Sequence, residues 1–127
     1  MNFPKDLKYS EEHEWVRMEG KKAYIGITDY AQDSLGDVVY IELPKVGSEI
    51  KKGEEVTNIE SVKAASAIYT PVSGTIVEVN SELDSAPELI NQKPYDAYIF
   101  CVEVKDPKEL DSLLDAQGYQ DLLKEKH

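Results

Sequence analysis

The sequence predicts a small, mostly β domain with a helical tail. Short runs that alternate apolar and polar residues recur between Trp15 and Val104, and glycine or proline punctuates the gaps. Leucines at helical spacing become dense only after Asp106, and no long linker or low-complexity tract interrupts the chain. At 127 residues the chain is long enough for one modest core. We expect one domain over residues 1–127, its core spanning about 7–105 and a helical segment about 106–124.

The elements follow from local chemistry. "EWVRMEG" and "KKAYIGI" read as strands, with Ala23, Ile25 and Ile27 on one face and a hairpin turn at Glu19-Gly20-Lys21. "TDYAQDSLG" reads as a short helix, with Thr28 or Asp29 as N-cap and Gly36 as its stop. "DVVYIELP" alternates again, placing Val39, Ile41 and Leu43 on one face, and Pro44 closes that strand. Strands follow on both sides of Lys63, the later one with Val77 and Val79 on one face. "SELDSAPELIN" predicts one helical turn, and "YDAYIFCVEV" a strand rich in β-branched and aromatic residues. At "DPKELDSLL", Asp106 caps, Pro107 takes the first helical position and Glu109 completes a capping box.

Composition narrows function. A net charge of −11 disfavours nucleic acid and anionic lipid, and suits basic patches on protein partners. No apolar run approaches the roughly 18–20 residues of a membrane span. The N-terminus has neither a signal-peptide core nor transit-peptide composition, so we expect a cytoplasmic protein. The single cysteine, Cys101, excludes an internal disulfide and a cysteine-rich zinc site, and its apolar strand suits an inert thiol. His13 and His127 are too few for a histidine metal cluster, so no metal site is expected. His13 itself, between Glu12 and Glu14, reads as an ordinary surface residue. No nucleophile motif or phosphate-cradling glycine loop occurs, so no catalytic residue is assigned.

One lysine stands apart. In "NIESVKAASAIYTPVSG", Lys63 sits between two strand-like runs, with small or β-branched neighbours and Glu60 three residues before it. Gly53 and Gly74 fall ten residues before and eleven after it, each placed where a chain reverses. A hairpin with Lys63 at its tip would present the amine outward, open to an acylating enzyme. Acylation would take the net charge from −11 to −12.

"ESVKAAS" followed by "PVSGTIVEVN" resembles the lipoylation site of the glycine cleavage H-protein family. "HEWVR", "IGITDYAQDSLGDVVYIELPKVG", "PELIN" and "ELDSLLDAQGY" match further landmarks in the same order, over roughly residues 7–123. The resemblance implies a lipoyl/biotinyl hammerhead, two small antiparallel sheets with pseudo-two-fold symmetry. It implies lipoate in amide linkage on Lys63, with Glu60, Ser61, Val62 and Ala64 as the recognition sequence for attachment. The attaching enzyme would be a lipoate ligase or a lipoyl/octanoyl transferase. The protein would then be a non-catalytic, monomeric carrier of an aminomethyl group and reducing equivalents. Its implied partners are a pyridoxal-phosphate glycine decarboxylase, a tetrahydrofolate-dependent aminomethyltransferase and a dihydrolipoyl dehydrogenase. Glu14 matches a carboxylate that faces the loaded amine in a surface cleft.

The chain departs from the family pattern at Ala67, where an acidic residue is frequent, and at Ala97-Tyr98, where Gly-Trp is frequent. A biotin carrier fits less well, because Val62 and Ala64 replace the methionines that flank biotinylated lysines. An H-like carrier serving lipoyl relay or sulfur oxidation, and a non-lipoylated interaction module, are the alternative readings.

Overall fold

The hairpin at Gly20 seeds the larger of two sheets. In the computed structural model, which describes residues 1–125, β2 (Glu14–Glu19) and β3 (Lys22–Ile27) pair antiparallel, and Gly20 turns between them at φ 64°. With β1 (Lys8–Tyr9), β5 (Glu49–Ile50), β8 (Gly74–Val79) and β9 (Phe100–Val104) they form a six-stranded sheet ordered β1-β2-β3-β9-β8-β5. The second sheet holds three strands, β4 (Val38–Ile41), β6 (Glu55–Ser61) and β7 (Ala65–Tyr69), with β6 in the centre. The fold is thus mostly β, as the alternation predicts, although the sheets are unequal in size.

Alternating residues of both sheets meet in the core. Val16, Ile25, Ile41, Ile59, Ile76, Phe100 and Val102 are all almost completely buried in one apolar cluster. A satellite cluster joins Leu7, Tyr9 and Trp15 to Ala116, Tyr119 and Leu123 of the C-terminal helix. Trp15 pairs with Gly26, and any side chain at Gly26 would lie 2.7 Å from the indole. The glycine therefore makes room for the ring on that sheet face.

Two β-bulges correct the strand faces read from the sequence. The register shifts between Val38 and Tyr40, so Val38 and Ile41 point inward while Val39 and Tyr40 face solvent. The expected face of Val39, Ile41 and Leu43 is broken because the extra residue resets the alternation. A second shift between Ile76 and Glu78 puts Ile76, not Val77, on the core face with Val79, opposite Val102 and Phe100.

The helices are short. α1 (Asp29–Leu35) is capped by the Thr28 hydroxyl, which accepts the Ala31 amide, and Gly36 ends it at φ 85°. "SELDSAPELIN" forms two turns rather than one, α2 (Glu82–Ser85) and α3 (Leu89–Gln92), because the Ala86-Pro87 step interrupts the helix. The tail is also divided, into a 3-10 helix (Pro107–Ser112) and α4 (Ala116–Glu125). Between them Leu114 pairs backbone to backbone with Tyr9, and that sheet-like bridge cannot coexist with a continuous helix. Asp106 caps Lys108, but Glu109 does not complete a capping box. Its carboxylate accepts the Ser73 amide at 2.7 Å and the Ser73 hydroxyl at 2.8 Å, tying the tail to the start of β8.

Gly53 turns as expected, at φ 87°, whereas Gly74 lies inside β8 and not at a reversal. A Cβ at Gly74 would stand 2.0 Å from the Glu103 carbonyl oxygen, so the residue is glycine because β9 backbone passes too close for any other. Gly74→Ala should therefore destabilise the fold by about 1–3 kcal/mol or more, since backbone cannot repack around the methyl. Urea unfolding that matches the unsubstituted protein would contradict this close approach.

Candidate functional site

Lys63 stands at the tip of the β6–β7 hairpin, in the three-residue loop Val62-Lys63-Ala64. Such loops usually need residues with positive φ, often glycine or asparagine. Here none of the three has one. Ser61 supplies local support instead. Its amide donates to the Ala64 carbonyl at 2.8 Å, and its hydroxyl accepts the Ala64 and Lys63 amides at 3.0 and 3.3 Å. The remaining loop amide, of Val62, donates to the Asp37 carbonyl at 3.0 Å, fixing the tip to the α1–β4 link.

Gly36 lies beneath the lysine. A Cβ there would come within 3.1 Å of Lys63 Cε, so the alkyl stem rests on bare backbone while the residue remains exposed. Asn91 of α3 holds this floor in place. Its Oδ1 accepts the Val38 amide at 2.8 Å, and its Nδ2 donates to the Gly36 carbonyl at 2.9 Å and Gln32 Oε1 at 3.0 Å. Of the expected recognition residues, Glu60, Val62 and Ala64 are exposed around the tip and Ser61 is half-buried within it.

A cleft of roughly 350 Å³ opens beside the hairpin, lined by Ala64–Ile68 on one side and by Glu12, His13, Ile27 and α1 residues on the other. Ala67 is among the lining residues, so the departure noted in the sequence removes a carboxylate from this wall. His13 is not an ordinary surface residue. It has a positive φ of 69°, its Nδ1 lies 2.8 Å from the Tyr119 hydroxyl, and that hydroxyl lies 2.8 Å from Thr28 Oγ1. Helix α4 thereby braces both the cleft wall and the cap of α1. His127 lies outside the described residues.

Glu14 is buried, only 1% exposed, and lines a neighbouring depression of roughly 340 Å³ with Tyr69, Pro71 and Leu113; Glu12 borders both hollows. Its carboxylate accepts the Ser10 hydroxyl at 2.5 Å and the Tyr69 amide at 3.3 Å, joining the two sheets. Burial pushes its pKa up from 4.5 to about 7, although those two hydrogen bonds favour the ionised form. Cys101 is fully buried and its thiol is pushed up to about 11 by burial, consistent with an inert role. No cluster of metal-ligating side chains occurs among the described residues.

These features define a class, a rigid β domain that presents one lysine at a braced hairpin tip beside a shallow cleft. The family model "Glycine cleavage H-protein" matches residues 7–126. A glycine cleavage system H protein of Brevibacillus brevis is 56% identical over 126 residues, 98% of this chain and 100% of the relative. That of Bacillus subtilis is 51% identical over 126 residues, 98% of this chain and 99% of the relative. The crystal structure of a glycine cleavage system H protein from Mycobacterium marinum superposes with a TM-score of 0.88 at 32% identity, covering 96% of this chain and 99% of that one. The chain belongs to the glycine cleavage H-protein family, and within that system it is a carrier component, not itself a catalyst.

Sequence reasoning did not single out Asn91, although "PELIN" contained it; an asparagine that bridges distant backbone groups has no local signature. Asn91→Ala should lower stability by about 1–3 kcal/mol, because the Val38 amide and Gly36 carbonyl lose their partner. Unchanged unfolding would show that water replaces the bridge. Glu14 predicts a pH dependence. Its unfolded carboxyl titrates near 4.5 and its folded one near 7, so the folded state binds more protons between those values. Stability should fall by about 3 kcal/mol as pH rises through this window. In Glu14→Gln that slope should flatten; an identical slope would assign it to other groups.

Proposed function

We propose that Lys63 carries lipoate in amide linkage and that the chain shuttles an aminomethyl group and reducing equivalents within the glycine cleavage system. One observation carries the assignment. The side chain at the tip is an exposed amine, and every backbone amide of its loop is held by Ser61 or Asp37. A loop so fixed presents the amine to an incoming enzyme without first having to be ordered. The cleft beside it, with Ala64, Ala65 and Ala67 in one wall, supports this reading by offering apolar surface next to a chain attached at Lys63. When bound, lipoate supplies a dithiolane that accepts electrons and a transferred group; the protein supplies position.

In this reading Glu60, Ser61, Val62 and Ala64 form the sequence recognised by a lipoate ligase or a lipoyl/octanoyl transferase. Glu14 is the carboxylate that meets the cargo amine. Its support is a buried acid near neutrality, in a hollow that shares Glu12 with the lysine-side cleft. The carrier works as a monomer in the cytoplasm. It visits the pyridoxal-phosphate glycine decarboxylase, the tetrahydrofolate-dependent aminomethyltransferase and the dihydrolipoyl dehydrogenase in turn. No helix among the described residues is long and apolar enough to cross a membrane.

Intact mass after incubation with a lipoate ligase, ATP and lipoate should increase by one lipoyl group, and Lys63→Ala should show no increase. An unmodified wild-type chain would overturn the carrier reading. With the modified protein, exchange of carbon dioxide with glycine on the cognate decarboxylase should appear. In Glu14→Ala, attachment should proceed normally while the aminomethyl cargo is lost faster; equal decay would remove Glu14 from the role.

A further inference from the structure

The three-stranded sheet has one face turned to solvent, and its composition is unusual for an exposed surface. The register places Tyr40, Glu60 and Ala65 in one row across β4, β6 and β7. Val39 bulges out beside Tyr40, and Val62 follows at the hairpin tip. Five large apolar side chains are exposed among the described residues, and three of them, Val39 (53%), Tyr40 (51%) and Val62 (69%), lie here. Solvated apolar groups gathered on one face mark interaction surfaces more often than isolated ones do.

The charge around them is mostly negative, although Lys45 shares a hollow with Glu42. Asp37, Glu42 and Glu60 are exposed, and none joins an ion pair among the described residues, where the pair found is Arg17–Glu19. Lys63 is the only lysine or arginine between residues 53 and 92, and residues 23–44 contain none. Acylation of Lys63 removes that one cation while the acids remain.

We infer that this face, centred on Tyr40 and rimmed by Glu42 and Glu60, is the docking surface for the enzyme that acylates Lys63, and that the enzyme meets it with basic residues around an apolar recess. The inference rests on Lys63 being the attachment site. Reach selects this partner over the others. Amide formation requires the Lys63 amine, having lost its proton, to bond to the carbonyl carbon of an activated acyl donor such as an acyl adenylate or thioester. The donor's leaving group departs, a second proton is released from nitrogen, and no oxidant is needed. Nζ must therefore enter the enzyme's active site. The tip is tied to Asp37, so the rim of that site has to cover the neighbouring β4 surface. Enzymes that act on the free end of the attached arm meet no such requirement.

The test follows acylation rate by intact mass against carrier concentration, using a lipoate ligase. Tyr40→Ser and Glu42→Lys should each raise the half-saturating carrier concentration about tenfold, with the saturated rate little changed. Asp111→Lys, the same charge change on the C-terminal 3-10 segment, should behave as wild type. Added salt should slow the wild type more than Glu42→Lys, as expected for complementary charges. Circular dichroism confirms that each variant is folded, and the two substitutions, being on exposed side chains, serve as independent probes. If wild type is acylated at Lys63 and both variants match it, the docking surface is wrong and the attachment site stands. If wild type is not acylated, both fall.

Discussion

A single backbone hydrogen bond, from the Val62 amide to the Asp37 carbonyl, fixes the hairpin tip that bears Lys63 to the body of the protein. A short hairpin loop without positive φ is not self-sufficient, and a mobile tip would leave Lys63 free to sample many positions. The acceptor is positioned in turn by its neighbours. Gly36 ends α1, Val38 begins β4, and Asn91 bridges the two across a stretch of 53 to 55 residues of sequence. Residues far from the lysine in sequence thus decide how sharply it is presented.

The same logic explains why a carrier that does no chemistry needs polar groups in its interior. Glu14 ties β2 to the end of β7 through the Tyr69 amide, and Tyr119 ties α4 to His13 and Thr28. Each joins a cleft wall to a separate layer of the fold. Among the described residues every buried side-chain nitrogen or oxygen has a hydrogen-bond partner, so these links stiffen the cleft without leaving polar groups unpaired. An elevated Glu14 pKa is the electrostatic consequence of placing a carboxylate in such a layer.

The positions where local reading failed share a cause. Val39 and Val77 looked like members of regular alternations, but a bulge inserts one residue and inverts everything after it, and the bulge depends on the partner strand. Glu109 stands where a capping box needs it, yet its carboxylate found the Ser73 amide and hydroxyl on another element. Gly74 has the look of a turn glycine and is instead the point where the β9 backbone comes closest. His13 had no signal at all, because its partner is 106 residues away.

Sequence alone determined the mostly β class, the Gly20 hairpin, the Thr28 cap and Gly36 stop of α1, and the position of Lys63 at a hairpin tip. All are set by short-range sterics, capping and pattern, which neighbouring residues carry in full. Tertiary structure decided which faces are core, where the tail breaks, how Asn91 and Asp37 hold the hairpin tip, and that Glu14 is buried. Those depend on contacts between segments distant in the chain, and a buried carboxylate is written in the same letters as a solvated one.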